Sequence, residues 1–131
     1  MLSRYSESDR TRVLQTLDSI KRTIVQLIEW NKTIFSSEDY YKSQHGMQLL
    51  AANCTLITAI GEGINRINRI MPDYLQNRHP DVPWRAIIGM RNHIAHGYFE
   101  IDADMVYEAV SSDIHDLLGI IEQLIEENEE A

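Results

Sequence analysis

The chain has one cysteine, Cys54, so no intrachain disulfide can staple it, and its small and apolar neighbours in "AANCTLIT" mark the thiol as buried and inert. A reducing, cytoplasmic setting is expected. No stretch approaches the roughly 18 uninterrupted apolar residues of a membrane span, and the polar start "MLSRYSESDRTR" has no apolar segment to act as an export signal. No membrane partner is expected. Glycine-rich phosphate loops, internal repeats, low-complexity blocks and the two-residue alternation of strands are also lacking. His45, His79 and His115 stand far apart without the spacing of metal ligands, and neither metal nor cofactor is expected.

Positive charge is missing from residue 99 onward. Residues 99–131 carry 11 Asp and Glu and no Lys or Arg, a balance of -11, whereas residues 1–98 carry 12 Lys and Arg against 9 acids, a balance of +3. The net charge of -8 therefore conceals a mildly basic body, and it does not exclude a nucleic-acid ligand. The closing "IEENEEA" reads as a solvated acidic tail, which a basic partner subunit could also use.

What is present is helical periodicity. Apolar positions 13, 17, 20, 24, 27, 28 and 34 predict one amphipathic helix over about 8–34. Met47, Leu50, Cys54, Ile57, Ile60, Ile64, Ile67 and Met71 predict a second over about 44–71. The intervening "SSEDYYKSQHG" reads as a loop with one short helical turn. All three prolines fall in "MPDYLQNRHPDVPW", which ends the second helix and opens a third from Trp84 to His96, closed by Gly97. Asp102 or Asp104 caps a fourth, with apolar positions 106, 110, 114, 117, 121 and 124, finishing near Glu127. With 131 residues, the expectation is a single all-α domain, an antiparallel four-helix bundle with a core over about 8–127.

Chemistry concentrates in "RNHIAHGY", residues 91–98. Projected at about 100° per residue, Trp84, Ile87, Ile88, Ile94 and Ala95 all fall within about 60° of Arg91, so a guanidinium occupies the apolar stripe. Such a charge needs an acid or an external anion. Asn92 and His96, four apart, stack on the flank, and Tyr98 follows just past Gly97. His96 can exchange protons near neutral pH, Arg91 offers a fork that matches phosphate oxygens, and Asn92 can orient either. These parts suffice for metal-independent cleavage of RNA, with the 2′-hydroxyl as internal nucleophile. The competing reading is structural: Arg91 pairs with Glu62, Glu100 or Asp102, and His96 caps its own helix. His93 projects away from Arg91, toward solvent. Trp30 and Trp84 read as packing or interface residues, and the tyrosines other than Tyr98 as ordinary amphipathic contacts.

Residues 83–110, "PWRAIIGMRNHIAHGYFEIDADMVYEAV", resemble the signature of HepT-like proteins, a branch of the HEPN superfamily with an R-x4-H-x-Y motif that Arg91, His96 and Tyr98 match position for position. Upstream, "LITAIGEGINRI" resembles the family's "IGEA" helix, with Glu62 matching and Gly63 replacing the more usual alanine, a change expected to loosen helix packing slightly. The resemblance implies a homodimeric ribonuclease toxin whose two motifs share one cleft and cut RNA, tRNA or mRNA, without a metal. It further implies an MNT-type nucleotidyltransferase antitoxin that places AMP on the motif tyrosine. On that basis Arg91 holds the scissile phosphate, His96 is acid and base, Asn92 supports them and Tyr98 accepts AMP. The rival class is a non-catalytic helical module that only binds the nucleotidyltransferase.

Overall fold

A computed structural model describes residues 5–90, 92 and 100–130, which are predominantly helical and contain no strand. Helix α1, Glu7–Trp30, begins where the Ser6 side chain accepts a hydrogen bond from the Asp9 amide. Glu7 and Asp9 then lie in the first turn, where the helix dipole favours acids. Its buried stripe is Val13, Leu17, Ile20, Ile24 and Leu27, as the periodicity requires.

The helix stops at Trp30, short of the expected residue 34, because Asn31 turns its amide inward. Asn31 Nδ2 donates to the Leu27 carbonyl at 2.8 Å and to Asn53 Oδ1 at 2.9 Å. Its Oδ1 accepts from the Tyr40 hydroxyl at 2.9 Å and from Asn53 Nδ2 at 2.8 Å. Tyr40 comes from the short 3-10 helix Ser37–Tyr41, the single turn expected between the long helices. Burial pushes its phenol up to about 12, which keeps it a neutral donor. The three buried side chains thus satisfy one another across three elements.

Helix α2, Gln44–Ile70, is capped by the Ser43 side chain, which accepts from the Gly46 amide. From Ile57 to Met71 the expected stripe is buried, as is Leu50, but Met47 and Cys54 depart from it. Met47 is 55% exposed and Cys54 only half-buried, while Leu49 and the wholly buried Asn53 face inward. The need to bring Asn53 to Asn31 and Tyr40 sets that register. Desolvation raises the Cys54 pKa, which disfavours the reactive thiolate. By length and composition α2 is long and apolar enough to cross a bilayer; here its stripe packs against α1.

Two glycines on α2 govern what lies beside it. A Cβ on Gly61 would lie 3.1 Å from the carbonyl oxygens of both Ile87 and Ile88, so the missing side chain allows α4, Trp84–Ile88, to rest its backbone on α2. At Gly63 a Cβ would meet Ile20 Cγ1 at 2.8 Å. The expectation that Gly63 loosens the packing is thereby reversed: Ile20 of α1 fills the space an alanine methyl would take.

Between α2 and α4 the sequence pattern misses a helix, α3, Tyr74–Arg78, entered through Asp73 at φ 67°. It fastens the C-terminus: the Tyr74 hydroxyl donates to Glu127 at 3.3 Å, Arg78 pairs with Glu127 at 3.0 Å, and Asn128 Nδ2 donates to the Tyr74 hydroxyl at 3.0 Å. Helix α5, Ala103–Glu108, is capped by Asp102, whose side chain accepts from the Met105 amide. A π-turn over Ala109–Asp113 joins it to α6, Ile114–Glu130, which runs past the expected end at Glu127. The wider i→i+5 turn offsets the lead of about 40° that each step of four builds up between Val106, Val110 and Ile114, and all three are buried. Helix α1 packs against both α2 and α6, with Lys21 reaching Glu122 at 3.6 Å.

Removing Asn53 by Asn53→Ala leaves Asn31 and Tyr40 with unmet buried groups. It should cost about 3 kcal/mol and lower the melting temperature by about 10 °C; a shift below about 2 °C in a thermal denaturation scan would show the network to be energetically idle. Gly61→Ala should push α4 outward and speed amide exchange at Ile87 and Ile88 about fivefold, whereas Gly63→Ala, which meets Ile20 of α1 and not α4, should change exchange at those two amides less than about twofold. Equal exchange in the two variants would contradict the role given to Gly61.

Candidate active site

The segment that carries the motif is held at both ends. Upstream, the Trp84 indole is buried and donates to the His79 carbonyl at 3.0 Å, which fixes the start of α4. Gly61 then sets the depth of the helix. The helix expected to run unbroken from Trp84 to His96 is interrupted: α4 ends at Ile88, and Gly89 and Met90 form a turn before Asn92 returns to helical geometry. Bonding tightens there from the Gly89 amide to the Arg85 carbonyl, four back, to the Met90 and Asn92 amides reaching Ile87 and Gly89, three back. A uniform helical projection from Trp84 through position 91 therefore crosses a turn that is not α-helical.

Downstream, the Tyr107 hydroxyl donates to the Phe35 carbonyl at 2.8 Å, and the Ser37 hydroxyl donates to Asp104. Helix α5 is in this way fastened to the 3-10 helix. Asp102, one of the acids considered for Arg91, already uses its carboxylate as the cap of α5. Glu62 is exposed on α2 beside Gly61, and Glu100 is exposed at the start of the downstream flank.

Of the residues singled out from the sequence, Arg91, His93, His96 and Tyr98 lie outside the described residues, as does any pairing between Glu62 and Arg91. Asn92 is described: it is exposed, and its amide donates to the Gly89 carbonyl at 3.0 Å, which leaves its side chain on the surface beyond the α2–α4 contact. His45 and His115 are exposed. Among the described residues no three His, Cys, Asp or Glu side chains converge. Trp84 is a packing residue, while Trp30 is 45% exposed.

Sequence reasoning passed over another group. Arg66 and Arg69, from "NRINRI" on α2, meet Arg12 of α1 in a cleft of about 400 Å³. The signal available was a pair of arginines three apart on the polar side of an otherwise apolar helix.

Comparison with known proteins bears on all of this. A family model described as ribonuclease HepT-like matches residues 27–124, a stretch that encloses residues 91–98. A protein of Thermococcus cleftensis named "Probable ribonuclease HepT" is 33% identical over 63 residues, 48% of this chain and 57% of that relative, so the alignment spans little more than half of its length. A relative in Caldanaerobacter subterraneus subsp. tengcongensis, provisionally named an RNase, is 28% identical over 84% of this chain and 91% of its own. Another from Methanocaldococcus jannaschii, named in the same way, is 31% identical over 67% of this chain and 73% of its own. No solved structure matches. With three-quarters of its length inside the family match, this chain belongs to the HepT-like ribonuclease family.

Proposed function

We propose that the chain is the metal-independent endoribonuclease toxin of a type II/VII-like toxin–antitoxin pair, acting in the cytoplasm as a homodimer on tRNA or mRNA. The observation that carries the reading is the family match across residues 27–124, inside which Arg91, His96 and Tyr98 stand in R-x4-H-x-Y order. The four-helix bundle belongs to the same reading. Exposed Phe35, Tyr41, Met47 and, on α5, Met105 supply apolar surface suited to a second copy.

In this reading Arg91 pairs with the non-bridging oxygens of the scissile phosphate and neutralises the charge that grows there. The RNA 2′-hydroxyl attacks phosphorus, giving its proton to a neutral His96 imidazole. The new P–O2′ bond forms as the P–O5′ bond breaks, and the second copy's imidazolium protonates the departing O5′. The products are a 2′,3′-cyclic phosphate and a 5′-hydroxyl, with no change in oxidation state. Asn92 orients the histidine or the strand. For regulation, an MNT-type nucleotidyltransferase antitoxin directs the Tyr98 phenol to the α-phosphorus of ATP, which releases pyrophosphate and leaves AMP on the tyrosine. A bulky anion two residues from His96 obstructs the strand and repels its phosphates.

Purified protein in chelator, given labelled tRNA and mRNA, should cleave with a bell-shaped pH dependence near neutrality. Arg91→Ala and His96→Ala should each lower the rate about 100-fold or more without changing the melting curve. Equal residual cleavage in all three proteins would mark a contaminant and favour a non-catalytic module. Incubation with the nucleotidyltransferase and ATP should add one AMP mass or a small multiple, read by intact-protein mass spectrometry. Labelling that persists in Tyr98→Phe would move the modified group elsewhere.

A further inference from the structure

Arg12 of α1 and Arg66 and Arg69 of α2 line one cleft of about 400 Å³ together with Ile70, and Asp9 is the one acid among its lining residues. All three arginines are exposed. Arg12 lies 3.8 Å from Asp9, a loose contact, while the side chains of Arg66 and Arg69 form no ion pair or hydrogen bond among the described residues. Three cations and one carboxylate leave the cleft two charges positive. Self-repulsion makes this arrangement unhelpful to the fold, and a concave cationic surface focuses potential on a passing anion.

The position of the cleft adds direction. On a projection of α2 at about 100° per residue with Gly61 at zero, Asn65 and Asn68 lie within about 40°, Arg69 at about 80° and Arg66 at about 140°. The arginines thus run along the polar strip between the side of α2 that carries α4 and the side that carries α1. Asn65 and Asn68 lie on the α4 side of the arginines and line, with Arg85 of α4 and with Asp73, a second cleft of about 460 Å³. From Gly61 to Arg69 the helix rises about 12 Å, so a polar track a few nucleotides long, with the carboxylates of exposed Glu62 and of Asp73 beside it, leads from α4 to the arginines.

We infer that the Arg12, Arg66 and Arg69 cleft is a docking site for the backbone phosphates of single-stranded RNA, from which the strand is led to α4. This rests on the ribonuclease reading. Guanidinium forks suit phosphate oxygens, and the asparagines between them offer both donors and acceptors to sugars and bases. The exposed acids of α5 and α6 disfavour the strand on that side.

The test uses the full-length chain carrying His96→Ala, so that RNA stays intact, and a fluorescent single-stranded oligoribonucleotide read by anisotropy over a range of salt. Adding Arg66→Gln with Arg69→Gln should weaken binding about tenfold at 0.1 M salt and flatten the slope of log affinity against log salt by about 1.4, as loss of two phosphate contacts requires. Lys32→Gln with Lys42→Gln, the same charge loss elsewhere, should alter affinity less than about twofold. Unchanged affinity and slope in the arginine variant, an equal effect in the lysine variant, or competition by oligoglutamate as effective as by RNA would each overturn the proposal. Cleavage by the chain with His96 intact is followed in parallel. Cutting that persists while affinity ignores Arg66 and Arg69 removes the cleft and leaves the nuclease; affinity that depends on them in a chain that never cuts does the reverse.

Discussion

The approach of α4 to α2 at Gly61 is the contact on which the placement of the motif depends. The missing Cβ at Gly61 lets the Ile87 and Ile88 carbonyls lie this closely against α2, and the chain enters residue 91 three positions later. The buried indole of Trp84 holds the other end of α4 through the His79 carbonyl. One close backbone contact and one anchored aromatic therefore fix both depth and direction with only five helical residues. So short a helix has little stability of its own and takes it from packing.

A second constraint is polar. Asn31, Tyr40 and Asn53 close a network that ends α1, orients the 3-10 helix and selects the register of the first turns of α2. Because Tyr40 and Asn53 bond each other and Asn31, which also donates to the Leu27 carbonyl, the network discriminates between registers that apolar contacts alone would accept about equally. Tyr107 and Ser37 extend the same corner to α5, so that the flank downstream of the motif is tied to the end of α1.

Much of this was legible in the sequence. The stripes of α1, of α2 beyond Ile57 and of the C-terminal helix are local consequences of 3.6-residue periodicity, and their residues are buried as that pattern demands. Asp102 as a cap and the single turn over Ser37–Tyr41 were equally local. What escaped depended on partners distant in sequence. Asn53 inside and Met47 outside follow from a network spanning 22 residues; α3 holds because Glu127, 49 positions beyond Arg78, comes back to it. The break after Ile88 was signalled by Gly89, which the apolar pattern on both sides obscured. For the site, the motif's order in sequence named the candidates, while the geometry of Arg91, His96 and Tyr98 is beyond what periodicity can supply.

The π-turn at Ala109–Asp113 splices two helical phases into one rod. Burial and the nearby carboxylates of Glu108 and Asp116 raise the Asp113 pKa there, so the splice also crowds like charges. Its length is consequently not free to drift in evolution: losing a single residue would restore ordinary winding and turn everything beyond Ile114, including the Glu127 clasp on α3, away from its partners.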